Sequence, residues 1–344
     1  MAAPETHMTR EIAEIPTATA RFLAAAGPAL GDAAQALRRL DPDVVITVAR
    51  GSSDHAAAYL KYAIELLAGI PVASVGPSVA SIYRRPLRLG RAAAIGISQS
   101  GQSPDIVEMM RAADAGGALT LAITNSTGAP ISAACAHTLS LHAGEEKSVA
   151  ATKTFVASVV AGLALLAEWQ DDAALRAAVA DLPRQFEAAL GCDWAPLADR
   201  LVTAQQAFVL GRGPGFAIAA EMALKCKETC DLHAESYSAA EVLHGPAALV
   251  KTRFPVLALG VEDAALPQVI ETAEKLAAQG ADVFLTGPWA ARGVRNLPAV
   301  TGGHPLTAPL VTVVSFYAFA EALARRRGLN PDTPPNLRKV TATV

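Results

Sequence analysis

The stretch ARGSSDHAAAYLKYA, which begins Ala49-Arg50-Gly51, has a counterpart 162 positions later in GRGPGFAIAAEMALK, which begins Gly211-Arg212-Gly213. A second pair, SPDIVEMMRAADAGGALTLAIT and LPQVIETAEKLAAQGADVFLT, matches Pro104, Glu108 and Gly117 with Pro267, Glu271 and Gly280 at a shift of 163. A repeat this long is far beyond the period of a stacked repeat array, so it implies a duplicated domain. The chain's 344 residues leave room for two. Short β-branched runs recur in both halves: VVITVA (44–49), AAAIGIS (92–98) and ALTLAIT (118–124), then AFVLG (207–211), PVLALG (255–260) and ADVFLT (281–286). Continuous apolar runs separated by helical patterns predict parallel strands buried on both faces. The expected fold class is therefore α/β, with two tandem parallel sheets, each flanked by helices in a flavodoxin-like sandwich.

The expected organisation is a helical segment over 1–40, a first domain over 41–180, a connector over 181–200, a second domain over 201–330 and a tail over 331–344. The connector, DLPRQFEAALGCDWAPLADR, reads as helical with two prolines. With 52% hydrophobic and 18% charged residues the chain has ample material for cores and is not a disordered one. Few aromatics predict aliphatic, Ala-rich packing. A net charge of −3 gives no reason to expect nucleic acid or an anionic membrane as partner. Cys135, Cys192, Cys226 and Cys230 are too few for a disulfide framework and fit a reducing cytosol. The start, MAAPETHMTREIAEIP, lacks the apolar core of a secretory signal. The run FVASVVAGLALLA (Phe155 to Ala167) is too short to span a bilayer and reads as a buried helix. A soluble, cytoplasmic protein is expected.

In a doubly wound sheet, ligands sit where strand ends feed helix N-termini. RGSSDH (50–55) and SQSGQSP (98–104) both occupy such positions. Gly51 and Gly101 permit close backbone approach, Ser52, Ser53, Ser98, Ser100 and Ser103 offer hydroxyls, and Pro104 suits a first helical turn. Together with the helix dipole these groups favour a phosphate. The competing reading is that serine and glycine only cap helices and make turns. Two such loops on neighbouring strand ends favour the phosphate. The second half has GVEDAA (Gly260 to Ala265) in place of the serine loop, so only one half keeps the anion site.

The stretch LKCKETCDLHAESYSAAEVLHGP (Leu224 to Pro246) is crowded with ionisable groups. On a helix Lys225 and Glu228 share a face at i, i+3, and Glu221 and Lys225 at i, i+4. An exposed ion pair is the competing reading, but the helix is apolar elsewhere. Lys227 and Asp231 read as such an exposed pair. Cys226 and Cys230 could suggest zinc, yet the helical spacing lacks the usual loop context and a fourth ligand, so packing is the expectation. His233 is expected to hydrogen-bond within the core, and His55 to cap or line the helix after its serine loop. His244 lies before a Gly-Pro turn and should project from a loop. Arg84, Arg85 and Arg88 read as solvated surface or a subunit contact.

SQSGQSPD, ITNSTGAPIS, AATKTF, KCKETCDLHAESYSAAEVLHGP and NLRKVT, in this order, resemble the sugar isomerase (SIS) domain family. The likeness is strongest to the isomerase half of the glucosamine-6-phosphate synthases and runs from Met8 to the C-terminus. The resemblance implies that Ser53, Ser98, Gln99, Ser100 and Ser103 hold the substrate phosphate, with Gly51, Ser52 and Gly101 in the same loops. It implies that Glu228 moves the proton between C1 and C2 with Lys225 beside it. His244, supplied by the neighbouring subunit of a homodimer, would open the sugar ring. Lys339 would form a Schiff base with the open ketose. Val149, Ala150, Thr152 and Arg338 would add sugar contacts. The chain departs from the synthases at Arg50, where they have a cysteine, and at Ala151, where they have a serine. Only about forty residues precede the first strand, and no cysteine near the start could attack glutamine. The expected reaction is therefore glucosamine 6-phosphate plus water to fructose 6-phosphate plus ammonia.

This chemistry needs an acid/base of near-neutral pKa for ring opening, which suits histidine. It needs a carboxylate in a dry pocket to move a C–H proton, and an ammonium to steady the developing charge. It calls for no metal and no other cofactor. The substrate would be a hexosamine or hexose 6-phosphate. Alternatives are a fructosamine-6-phosphate deglycase, another phosphosugar isomerase, and a non-catalytic phosphosugar sensor.

Overall fold

The computed structural model describes residues 5–339; residues 1–4 and 340–344, the ends of the expected N-terminal segment and C-terminal tail, lie outside the described residues. The chain forms two compact units. The first comprises Thr17–Glu146, Lys153–Asp181 and the segment from Arg338; the second comprises the segment up to Pro16, Lys147–Thr152 and Leu182–Leu337.

The first unit carries strands β1 (Val44–Val48), β2 (Val72–Ser74), β3 (Ala92–Ile97), β4 (Leu119–Thr124) and β5 (His137–Ser140) in the order β2-β1-β3-β4-β5. The second carries β6 (Gln206–Gly211), β7 (His233–Ser238), β8 (Pro255–Ala258), β9 (Asp282–Thr286) and β10 (Arg295–Leu297) in the order β10-β9-β8-β6-β7. All pairings are parallel. Read from its opposite edge, the second sheet repeats the strand order of the first, the flavodoxin-like order. The tandem α/β expectation is met.

The six strands expected from apolar runs are the six interior ones, and the four edge strands were not among them. An interior strand of a parallel sheet is covered on both faces and so reads as an unbroken apolar run. β3 and β8 are buried at every position, whereas β2 and β10 are each buried at one of three. The edge strands are more polar, and β2 and β10 are only three residues long, which discourages pairing with another chain. HAESYS (β7), buried at only one of its six positions, carries no such apolar run.

Residues alternate between the faces of each sheet. In the first unit Ile46, Val48, Ala92, Ala94 and Ala122 pack against Ile106, Val107, Met109, Met110 and Ala113 of helix Pro104–Ala115. Helices Gly27–Leu40, Ser52–Leu67 and Lys153–Trp169 pack together elsewhere in the unit. Every residue of Lys153–Trp169 except Glu168 is buried, which accounts for the apolar run noted in the sequence.

In the second unit Phe208, Leu210, Val256, Ala258, Val283 and Leu285 pack against Val269, Ala273 and Leu276 of helix Leu266–Ala278. Helices Pro214–Cys230 and Ala308–Arg326 pack on each other. Ala308–Arg326 is long and apolar enough to cross a membrane by composition, but 83% of its most apolar window is buried inside the protein, which makes it a core helix.

Candidate active site

The first unit's sheet order reverses between β1 and β3, and the two serine loops leave the carboxyl ends of these two strands. That is where an open α/β sheet leaves a crevice. Gly51 starts helix Ser52–Leu67 at φ 55°, ψ −133°, a conformation that side-chain-bearing residues avoid. Its counterpart Gly213 has φ 55°, ψ −135°, so the duplicated halves share this turn.

After β3 the loop is closed by its own hydroxyls. Ser98 Oγ accepts the Gly101 N–H at 3.1 Å, and Ser100 Oγ accepts the Gln102 N–H at 3.3 Å. Ser103 precedes helix Pro104–Ala115, yet its hydroxyl makes no capping bond. Capping thus leaves at least this hydroxyl unexplained.

Gly101 is constrained twice. Its φ is 63°, and a Cβ there would lie 2.5 Å from Ala129 Cβ and 2.9 Å from Thr124 Oγ1. Gly101→Ala is expected to displace the loop, because the left-handed backbone alone costs about 1–2 kcal/mol before the clash is counted. A titration with inorganic phosphate should show binding lost, alongside a lowered melting temperature; unchanged binding would mean the loop holds no phosphate.

The loops enclose a cavity of about 120 Å³. Ser53, Ser98, Gln99, Ser100 and Ser103 line it, joined by Arg50 and Lys339 over a floor of Ile97 and Ile106. Gly51 and Gly101 shape the turns, and Ser52 is the first residue of its helix. Helix N-termini and hydroxyls around a small concavity suit an anion.

Two carboxylates behind the cavity carried no role in the sequence reading. Lys339 Nζ donates to Glu146 Oε2 at 2.8 Å. Glu146 is 5% exposed and also accepts from the Thr154 N–H at 3.1 Å and the Thr154 hydroxyl at 2.6 Å. Burial by itself would raise the Glu146 carboxyl; the Lys339 ammonium and the Lys339 and Thr154 hydrogen bonds outweigh it and hold it below the usual range. Asp105, completely buried, binds the Arg50 guanidinium. An acid in the first turn of a helix that begins Ser-Pro was the available signal for Asp105. For Glu146 the only hint was its place in the matched stretch before AATKTF. Arg338, next to Lys339, is exposed.

In the second unit helix Pro214–Cys230 carries the ionisable cluster. The side chains of Glu221 and Lys225 are wholly buried and lie 3.4 Å apart. Tyr317 donates its hydroxyl to Glu221 Oε1 at 3.0 Å. Lys225 also donates to Glu228, whose side chain is 22% exposed. Burial alone would depress the Lys225 ammonium, but Glu221 and Glu228 together raise it above its ordinary value. The exposed-pair reading therefore does not apply to this triad. Glu228 is its outward member, a carboxylate paired with a cation rather than the fully dry one the chemistry led us to expect.

The expected Lys227–Asp231 pair is replaced by another contact. Asp231 leaves the helix in a left-handed conformation (φ 47°), which turns it off the helical face, and Lys227 instead donates to the Ala234 carbonyl at 3.1 Å. His233 is exposed at the start of β7, not bonded within the core, because it sits on an edge strand. Cys226 and Cys230 are buried; Cys226 lines a small apolar cavity with Ala207, Val209 and Phe316, and Cys230 Sγ donates to the Ala320 carbonyl at 3.4 Å. Burial pushes the Cys226 thiol well up and that of Cys230 to about 11, as expected of packing residues.

His244 ends a 3₁₀ turn, Glu241–His244, and is exposed beside the exposed Leu243 and Leu249. Val149, Ala150 and Thr152 lie in a loop of the second unit. The Val149 N–H reaches the Asp332 carbonyl at 3.3 Å, and Asp332 in turn accepts the His7 and Met8 N–H groups at 2.8 Å each. Buried Glu11 accepts from the Ser148 N–H and hydroxyl. Thr152 and Ala150 are buried within this loop.

The SIS domain family matches residues 41–168 and 200–324. The glutamine–fructose-6-phosphate aminotransferase (isomerizing) of Thermus thermophilus is 34% identical over 326 residues, covering 87% of this chain and 52% of that protein. The chain thus spans about half the length of the curated relatives it matches. Among solved structures, a Silicibacter pomeroyi protein, provisionally assigned as a phosphosugar isomerase, is 52% identical with a TM-score of 0.92 over 95% of this chain and 100% of its own. Thermotoga maritima glucosamine-6-phosphate deaminase shares the fold at TM-score 0.74, with 21% identity over 92% of this chain and 99% of its own.

Proposed function

The chain belongs to the SIS domain family, and we propose that it is a phosphosugar aldose–ketose isomerase that converts glucosamine 6-phosphate and water to fructose 6-phosphate and ammonia. The observation that carries this reading is the serine cradle with Lys339 on its wall, Nζ held 2.8 Å from Glu146. Serine hydroxyls and a cation around a small concavity suit the phosphate of an open-chain phosphosugar. The aminotransferases that this chain matches over about half their length are named for fructose 6-phosphate, which supports the choice of hexose.

In the proposed reaction His244 opens the ring, exposing the C1 aldehyde beside the C2 amine. Glu228 takes the C2 proton and returns it to C1 while one amine proton passes to the C1 oxygen, leaving a C2 imine and a C1 alcohol. Lys225, pinned between Glu221 and Glu228, supports the negative charge that develops on the way. Water then adds to the imine and ammonia leaves, so atoms and charge balance without an oxidant or reductant. Water is in vast excess over free ammonia, and mass action therefore favours deamination. We place His244 across the interface of a homodimer; the exposed Leu243 and Leu249 beside it are consistent with a surface that a second copy covers.

Ammonia release from the purified protein, measured across hexosamine 6-phosphates and fructosamine phosphates, tests the proposal. Equal amounts of ammonia and fructose 6-phosphate from glucosamine 6-phosphate are expected. Amine release only from fructosamine phosphates would make the protein a deglycase. Binding of sugar phosphates with no turnover would make it a sensor.

A further inference from the structure

We propose that Arg50 is a direct ligand of the substrate phosphate, held in position by Asp105, and that it makes this cradle selective for an anionic ligand. The inference rests on the phosphosugar reading above and goes beyond the hydroxyl-and-amide cradle that reading requires. Arg50 is the last residue before the Gly51 turn, so its Cα is fixed at the carboxyl end of β1, one side of the crevice. Its Nε and Nη2 both donate to Asp105 Oδ2, at 3.1 and 2.9 Å. Among the described residues its Nη1 has no protein hydrogen bond, and the residue lines the cavity beside Ser53 and Ser100.

The burial of the two partners is unequal. Asp105 is wholly buried, and its Oδ1 accepts the Ile106 N–H at 2.9 Å; the Arg50 side chain is 53% exposed. A pair built only for stability gains little when one member is this wet. A buried carboxylate under an anion site would also repel the ligand unless a cation stood between them. Arg50 supplies that cation: two of its donors grip Asp105, which does not itself line the cavity, and among the described residues its Nη1 has no protein hydrogen bond. A guanidinium held in one plane is well suited to phosphate oxygens. The other cation of the cavity, Lys339, is already paired with Glu146.

The duplicated unit provides an internal comparison. Arg212 occupies the position of Arg50, but its Nη1 donates to the Ser238 hydroxyl at 2.9 Å. Gln268 stands where Asp105 stands in the first unit, and the loop after β8 has no hydroxyls. The arginine is present in both halves; the carboxylate anchor occurs only in the half that keeps the serine loop.

Calorimetric titration of the whole protein with inorganic phosphate at pH 8 tests this. The variants are Arg50→Gln, Arg50→Lys and the double variant Arg50→Gln/Asp105→Asn, which leaves no carboxylate buried alone and guards against misfolding. Wild type should bind. Both glutamine variants should lose at least about tenfold in affinity (about 1.4 kcal/mol), and Arg50→Lys, which keeps the charge but not the two-pronged anchor, should recover only part of it. With glucosamine 6-phosphate, KM should rise in step with the phosphate Kd while kcat stays within about threefold. A double variant that folds and binds phosphate as wild type does would overturn the role of Arg50 and leave the phosphosugar reading intact. Wild-type protein that binds no phosphate would overturn both.

Discussion

Glu228→Gln is expected to lower ammonia release from glucosamine 6-phosphate by roughly 10²- to 10⁴-fold, the usual worth of a positioned proton-transfer group. The fold should survive. Glutamine has the same shape, Glu228 is already 22% exposed, and Lys225 keeps its bond to the buried Glu221. Phosphate binding should be unchanged, because the serine cradle belongs to the other unit. A structural role for Glu228 would leave kcat near wild type and shift the melting temperature instead. The same variant tests the shared site: mixed with an inactive His244→Ala protein under conditions of confirmed subunit exchange, it should regain part of the activity. No recovery would place His244 in its own subunit's site.

Lys225→Met should produce the largest loss of stability. Lys225 and Glu221 have no exposed side-chain surface, and removing the ammonium leaves the Glu221 carboxylate buried without its cation, although the Tyr317 hydroxyl still donates to it. Breaking a buried pair in this way costs about 3–5 kcal/mol, which for a unit of this size lowers the melting temperature by roughly 10 °C. Glu221→Gln/Lys225→Met should regain most of that loss, since a neutral amide and a thioether need no counter-charge. If the single and double variants melt together, the charge pairing is not what holds this helix. Activity should fall in both, because each lacks the ammonium beside Glu228. Recovery of stability without activity would separate the packing role of the triad from its chemical one.

The fold was legible where burial on both faces left an unbroken apolar run. β1, β3, β4, β6, β8 and β9 could be read for that reason, and the edge strands β2, β5, β7 and β10 could not. His233 was misread for the same cause: on an edge strand it faces solvent rather than the core. The Lys225–Glu228 pairing was legible because helical geometry determines it from local spacing. The Lys227–Asp231 pairing failed because one left-handed residue ends the helix, a detail that spacing does not encode.

The sequence by itself determined the duplicated parallel α/β architecture, the two serine loops on neighbouring strand ends, and the membership of Lys225 and Glu228 in one helical face. These follow from periodicity, from glycines at turns, and from contacts within one or two turns of chain. Only the tertiary structure decided which buried carboxylates stand behind the cations. Asp105 meets Arg50 across 55 positions, and Glu146 meets Lys339 across 193. Such pairs depend on where strands and helices come to rest, and the low-polarity interior that gives them their strength exists only once the chain has folded.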